Sequence, residues 1–70
     1  MKLKNTFKEY GFTRNSKKRC WEFDNGRDLI QIFHVDGLWI IEWSSSEEDS
    51  VIVQHSDEAM EEWLDMYFMT

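Results

Sequence analysis

Two dipeptides, Asn25-Gly26 and Asp36-Gly37, constrain this chain more than any other feature. Both accept positive φ at two successive residues, which the type I′ turn between antiparallel strands requires. Read as two-residue loops, they set the register of the strands on either side. The first pairs Phe23 with Asp28, Trp21 with Ile30 and Arg19 with Ile32. The second pairs His34 with Trp39, Ile32 with Ile41 and Ile30 with Trp43. Both registers choose one face for Trp21, Phe23, Ile30, Ile32, His34, Trp39, Ile41 and Trp43, and that face is dense enough to be the core side.

The opposite face carries Cys20, Glu22, Leu29, Gln31, Phe33, Val35, Leu38, Ile40 and Glu42. One end of it is polar. The other end is apolar and consists of two cross-strand pairs, Phe33 with Ile40 and Val35 with Leu38. Left uncovered, such a cluster marks an interface; covered by the first helix or the loop of the last strand, it is core. The sequence leaves both outcomes open.

Flanking elements follow from spacing. Leu3, Phe7 and Tyr10 recur at i, i+4 and i+7, one face of a helix over about residues 2–10. Gly11 then falls at C′ and Phe12 at C″, where a Schellman ending sets a hydrophobic contact back onto Phe7. Phe12-Thr13-Arg14 adds a short strand through an Asn15-Ser16 turn. Val51-Ile52-Val53-Gln54 adds another after the solvated loop Ser44–Ser50. A last helix, capped by Ser56 or Asp57, has the apolar stripe Met60, Trp63, Leu64 and Tyr67, flanked by Ala59 and Phe68. Glu58, Glu61, Glu62 and Asp65 lie opposite that stripe. The expected fold is one two-layer α+β domain over residues 1–70. It has a short N-terminal helix, an antiparallel meander of three to five strands and a C-terminal amphipathic helix, with both helices on the Trp-rich face.

Charge divides the chain. All eight Lys and Arg lie in the first 27 positions, against three acids, for a net +5. Residues 28–70 hold eleven acids and no Lys or Arg, which brings the total to −6. Eight of those acids, Glu47, Glu48, Asp49, Asp57, Glu58, Glu61, Glu62 and Asp65, fall between positions 47 and 65. Asp57/Glu61, Glu58/Glu62 and Glu61/Asp65 are like-charge pairs at i, i+4, each destabilising by about 0.2–0.5 kcal/mol. One reading is a solvated face that keeps a small protein soluble. The other is a docking surface for a basic partner, in which carboxylates occupy Lys and Arg sites that otherwise hold phosphate.

Chemistry-bearing sets are few. In these registers Cys20 and His34 point to opposite sides of the sheet, so they form no nucleophile–base pair. One Cys and two His, at 20, 34 and 55, match no zinc spacing, and the three glycines are absorbed by turns or a helix end, leaving no phosphate loop. No cofactor, no metal site and no catalytic role are expected. A lone cysteine and no apolar run near 20 residues point to a reducing, cytoplasmic setting away from membranes. No signal-peptide core or lipidation motif is expected from the two ends.

The helix–sheet–helix order, with Gly-Phe after the first helix, resembles double-stranded-RNA-binding folds and the small toxin ribonucleases built like them, over residues 3–35 and in architecture alone. The lysines such domains carry at the start of the last helix are replaced by Ser56-Asp57-Glu58, which repels phosphate. The Gly-Ser-His of the toxins is replaced by Asn15-Ser16-Lys17-Lys18-Arg19-Cys20. The leading expectation is therefore a protein–protein interaction module whose partner is a basic protein, such as a nucleic-acid-binding protein or nuclease. In its concrete form it is a nucleic-acid mimic: an inhibitor that occludes the partner's nucleic-acid surface, of the phage anti-defence or anti-CRISPR type. Alternatives are direct nucleic-acid binding or regulation through Arg14, Lys17, Lys18 and Arg19, and a homo-oligomer joined through Phe33, Val35, Leu38 and Ile40 or through an edge strand.

Overall fold

A computed structural model describes residues 2–69. Helix α1 (Lys2–Glu9) leads into strands β1 (Thr13–Asn15), β2 (Cys20–Asp24), β3 (Asp28–Val35), β4 (Leu38–Ser45) and β5 (Asp49–Gln54), and the chain closes with helix α2 (Asp57–Phe68). The strands form one antiparallel sheet in chain order. No helix among the described residues is long and apolar enough to cross a membrane.

Helix α1 buries Leu3 and Phe7 and ends as its Gly-Phe order requires. Gly11 takes φ +89°. Its N–H donates to the Lys8 carbonyl at 3.1 Å, and the Phe12 N–H donates to the Phe7 carbonyl at 2.9 Å. Those are the two bonds of a Schellman motif. Phe12 then packs on Phe7 with ring centroids 5.5 Å apart.

The two hairpins behave differently. At Asp36-Gly37 both residues are left-handed, with φ +52° and +79°, and β3 and β4 pair His34 with Trp39, Ile32 with Ile41 and Ile30 with Trp43 as expected. The first hairpin departs from the two-residue reading. Phe23 faces Ile30 and Trp21 faces Ile32, a register two residues away. Of the turn residues only Gly26 has positive φ, so a type I′ turn does not form. Instead the Asn25 side-chain oxygen accepts from the backbone N–H of Arg27 at 2.9 Å and of Asp28 at 2.7 Å, and Asp24 Oδ1 accepts from Gly26 at 2.9 Å. Asn and Asp side chains substitute for backbone partners in this way in wider loops. A shift of two leaves every side chain on its original face, because the strand period is two.

Both helices lie on the Trp-rich face. Leu3, Phe7, Phe12, Trp21, Ile30, Ile32, Trp39, Ile41, Met60 and Leu64 form one buried cluster. Ser56 caps α2, its hydroxyl accepting from the Ala59 N–H at 3.1 Å. Of the apolar stripe on α2, only Met60 and Leu64 are fully buried. Trp63 and Tyr67 sit half-buried on the flank, stacked on each other at 5.3 Å.

Candidate functional site

The register determines what the other face of the sheet presents. Asn15, Cys20, Phe33, Ile40 and Val53 run across it in one row, with Val35 beside Leu38 next to that row. Both helices pack on the opposite face, so nothing among the described residues covers this band. Val35, Val51 and Val53 are 49%, 68% and 41% exposed. Phe33, Leu38 and Ile40 are half-buried, sheltered only by their neighbours on the same face. The structure thus resolves the choice that sequence left open: the apolar cluster is surface.

Four acids are spread over the rest of that face, among Leu29, Gln31, Ser44 and Val51. Glu22 and Glu42 flank Gln31 in one row; Asp24 and Asp49 end the next, beyond Leu29 and Ser44. Gln31 donates to Glu22 at 2.7 Å and Asn15 donates to it at 3.1 Å. These hydrogen bonds hold the Glu22 carboxyl below the ordinary carboxylate range. Cys20 is fully buried in the same surface, and burial pushes its thiol pKa up, which keeps the sulfur protonated and unreactive. His34 lies on the helix side, parallel to the Trp39 ring at 3.9 Å, so Cys20 and His34 are on opposite faces as the hairpin registers implied.

The late-chain acids do not form one surface. Trp39 meets Asp57 at one end of the sheet, and Trp43 meets Tyr67 at the other. Glu47, Glu48 and Asp49 belong to the Trp43 end, a strand's length of about 20 Å from Asp57 and Glu58. Three of the eight acids are also engaged within the molecule. Asp57 accepts the Trp39 indole N–H at 2.8 Å, Asp65 accepts the Tyr10 hydroxyl at 2.7 Å, and Glu61 meets Lys2 Nζ at 3.3 Å. With Trp43, whose indole donates to Asp28 at 3.2 Å, this is a repeated device. Aromatic groups at the rim of the core turn their polar tips to carboxylates, because a half-buried donor needs a partner. Sequence spacing carries no signal for such pairs, which join residues as far apart as 10 and 65. Glu47, Glu48, Asp49, Glu58 and Glu62 are exposed to solvent.

The Tyr10–Asp65 bond has a measurable consequence. The hydrogen bond to Asp65, with burial and the carboxylate's charge behind it, pushes the Tyr10 hydroxyl up to about 12 from an ordinary 10.0. The folded state holds this proton more tightly than the unfolded chain. Its contribution is therefore complete below pH 10.0 and is lost as pH rises through about 12. Burial also holds the Tyr67 hydroxyl above its ordinary value, so tyrosinate absorbance during an alkaline titration is expected to rise late for both tyrosines, and Asp65→Asn is expected to move only the Tyr10 step back toward the ordinary range.

The basic cluster is likewise divided. Lys17, Lys18 and Arg19 stand exposed in the β1–β2 turn, where Arg19 has φ +58°. Arg14 turns to the helix side, its guanidinium 5.6 Å from the Trp21 ring centre. Among the described residues no group of three His, Cys, Asp or Glu could hold a metal ion. No family model, curated protein or solved structure matches this chain. The resemblance to double-stranded-RNA-binding folds therefore goes no further than the order of elements.

Proposed function

We propose that this chain is a protein-binding module that docks through the uncovered face of its sheet onto a partner presenting apolar anchors among Lys and Arg. One observation supports the reading: the band of Phe33, Val35, Leu38, Ile40 and Val53 lies beside Glu22, Asp24, Glu42 and Asp49, on strands where β3, β4 and β5 contribute no Lys or Arg. A contiguous apolar surface on so small a protein is a liability unless another molecule covers it. The acids beside it select against acidic partners and favour basic ones. The exposed acids of α2 and of the β4–β5 turn lie off this plane, and they act at a distance by steering a positively charged partner toward encounter. A partner surface of that make-up is typical of nucleic-acid-binding proteins, and docking there would block phosphate from reaching it. A second copy of the chain is the poorer occupant, since face-to-face pairing sets an acidic surface against itself.

The test is capture from a cell lysate at low salt, then titration of the purified partner. Val35→Arg with Val53→Arg is expected to abolish capture while leaving the fold intact, because both sites are exposed. Affinity is expected to drop about tenfold or more between roughly 50 and 300 mM salt, as screening shortens the range of attraction. Glu58→Gln with Glu62→Gln is expected to slow association with little change in dissociation. Undiminished capture by the double-Arg variant would remove the sheet face from the proposal, and a concentration-dependent dimer in light scattering would reassign it to self-association.

A further inference from the structure

We propose that a groove on the other side of the molecule, between α1 and the sheet, is a nucleotide site, with the phosphate held by Lys4 and Lys8 and the base laid against the planes of Arg14 and His34. The groove is open to solvent, has a volume of about 610 Å³ and is lined by Lys4, Lys8, Arg14, Trp21, His34 and Trp39. That volume lies within the usual ~300–1,000 Å³ of small-molecule sites.

Charge is the first argument. The lining holds three permanent cations and no acid, in a protein whose net charge is −6. Among the described residues only Lys2 forms an ion pair, with Glu61. Fourteen carboxylates leave the groove's cations unneutralised, so the positive potential is available to an anion from outside. Lys4 and Lys8 are one helical turn apart and share a face of α1, opposite Arg14 on β1.

Pre-organisation is the second. The Arg14 guanidinium is held over Trp21, whose ring is stacked on Phe7 at 5.1 Å and 23°. The exposed His34 imidazole lies 3.9 Å from Trp39 and only 4° from parallel. Trp21 and Trp39 are themselves 7% and 2% exposed, so the planes offered to a ligand are the guanidinium and the imidazole. Nucleobases stack on both kinds of plane, and lysine ammonium groups pair with phosphate. A planar base with a phosphate attached uses every part of this lining.

Size follows from the whole-protein field. A net charge of −6 repels a long polyanion approaching from a distance, which favours a single nucleoside phosphate, free or at the end of a short single strand, over a duplex. This site shares no side chain with the docking face, so either proposal can fail without the other.

Calorimetric titration with adenosine monophosphate, inorganic phosphate and an oligothymidylate tests the proposal. Adenosine monophosphate is expected to bind saturably and inorganic phosphate at least ~10-fold more weakly, for want of stacking. Lys4→Gln with Lys8→Gln, at exposed positions where the fold survives, is expected to cost at least ~10-fold in affinity. Arg14→Lys, which keeps the charge but loses the plane, is expected to weaken binding less than the lysine pair does. Indole N–H resonances of Trp21 and Trp39 are expected to move on binding while that of Trp63 stays still. Tighter binding of the oligothymidylate assigns the site to a strand end, and tighter binding of the monophosphate assigns it to the free nucleotide. Failure of both to bind, equal binding of inorganic phosphate, or full affinity in the Lys4/Lys8 variant would overturn it.

Discussion

Trp39→Ala is expected to cost about 3–5 kcal/mol, the range for deleting a large buried aromatic side chain. A chain of this length has about 3.5–10 kcal/mol in total, so the variant should be largely unfolded or close to it at ambient temperature. The reason lies in how many contacts end on this ring. Trp39 is 2% exposed and packs against Phe7 at 5.7 Å. It carries His34 on one face, and its indole N–H reaches Asp57 in the first turn of α2. Truncation opens a cavity in the core and orphans a helix contact at the same time. Trp63 provides the contrast. By spacing it belongs to the apolar stripe of α2, which predicts an equal loss of about 3–5 kcal/mol for Trp63→Ala. In the structure it is half-buried and stacked on Tyr67. With no sealed cavity to leave behind, Trp63→Ala is expected to cost about 1 kcal/mol, near the centre of point substitutions generally. Urea denaturation followed by circular dichroism compares the two directly, and equal midpoints would contradict this ranking.

Phe7→Ala is expected to cost a similar 3–5 kcal/mol, by a different route. Phe7 is fully buried and meets three rings: Phe12 at 5.5 Å, Trp21 at 5.1 Å and Trp39 at 5.7 Å. Helix α1 has eight residues, well below the ~12–15 at which isolated helices become even marginally stable. It forms only because Leu3 and Phe7 dock it on the sheet. Loss of the ring should free α1 before the strands yield, so backbone amides of residues 4–12 are expected to exchange with solvent faster than those of β3 and β4. Phe7→Leu keeps most of the apolar volume and is expected to cost no more than about 1.5 kcal/mol. Because Lys4 and Lys8 ride on this helix, Phe7→Ala also removes two of the groove's three cations without touching them.

Much of this architecture was legible in local chemistry. The Schellman ending at Gly11-Phe12, the type I′ turn at Asp36-Gly37 and the Ser56 cap each depend on residues within a few positions of one another. The first hairpin takes a register two residues from the one its dipeptide implies, because Asn25-Gly26 supports more than one loop and the Asp24 and Asn25 side chains close the longer one. The faces are unchanged, since two registers of equal parity present identical side chains. The sites were less legible. The apolar density of the Trp-rich face points to both helices there, as found, yet no local signal keeps α1 or the loop before β5 from covering Phe33 and Ile40. The acids look continuous along the chain, yet β5 carries Asp57 and Glu58 to the end of the sheet away from Glu47, Glu48 and Asp49, and α2 spreads the rest along its own length.

Hydrophobic period and turn geometry act over a handful of residues, and they suffice to specify the elements, their antiparallel order and the two faces of the sheet. Tertiary structure alone decided which face stays bare, which carboxylates are tied to Trp39, Tyr10 and Lys2, and that Lys4, Lys8 and Arg14 converge on one groove. Those outcomes depend on distances between residues far apart in the chain, and such distances exist only once both helices have chosen the same side.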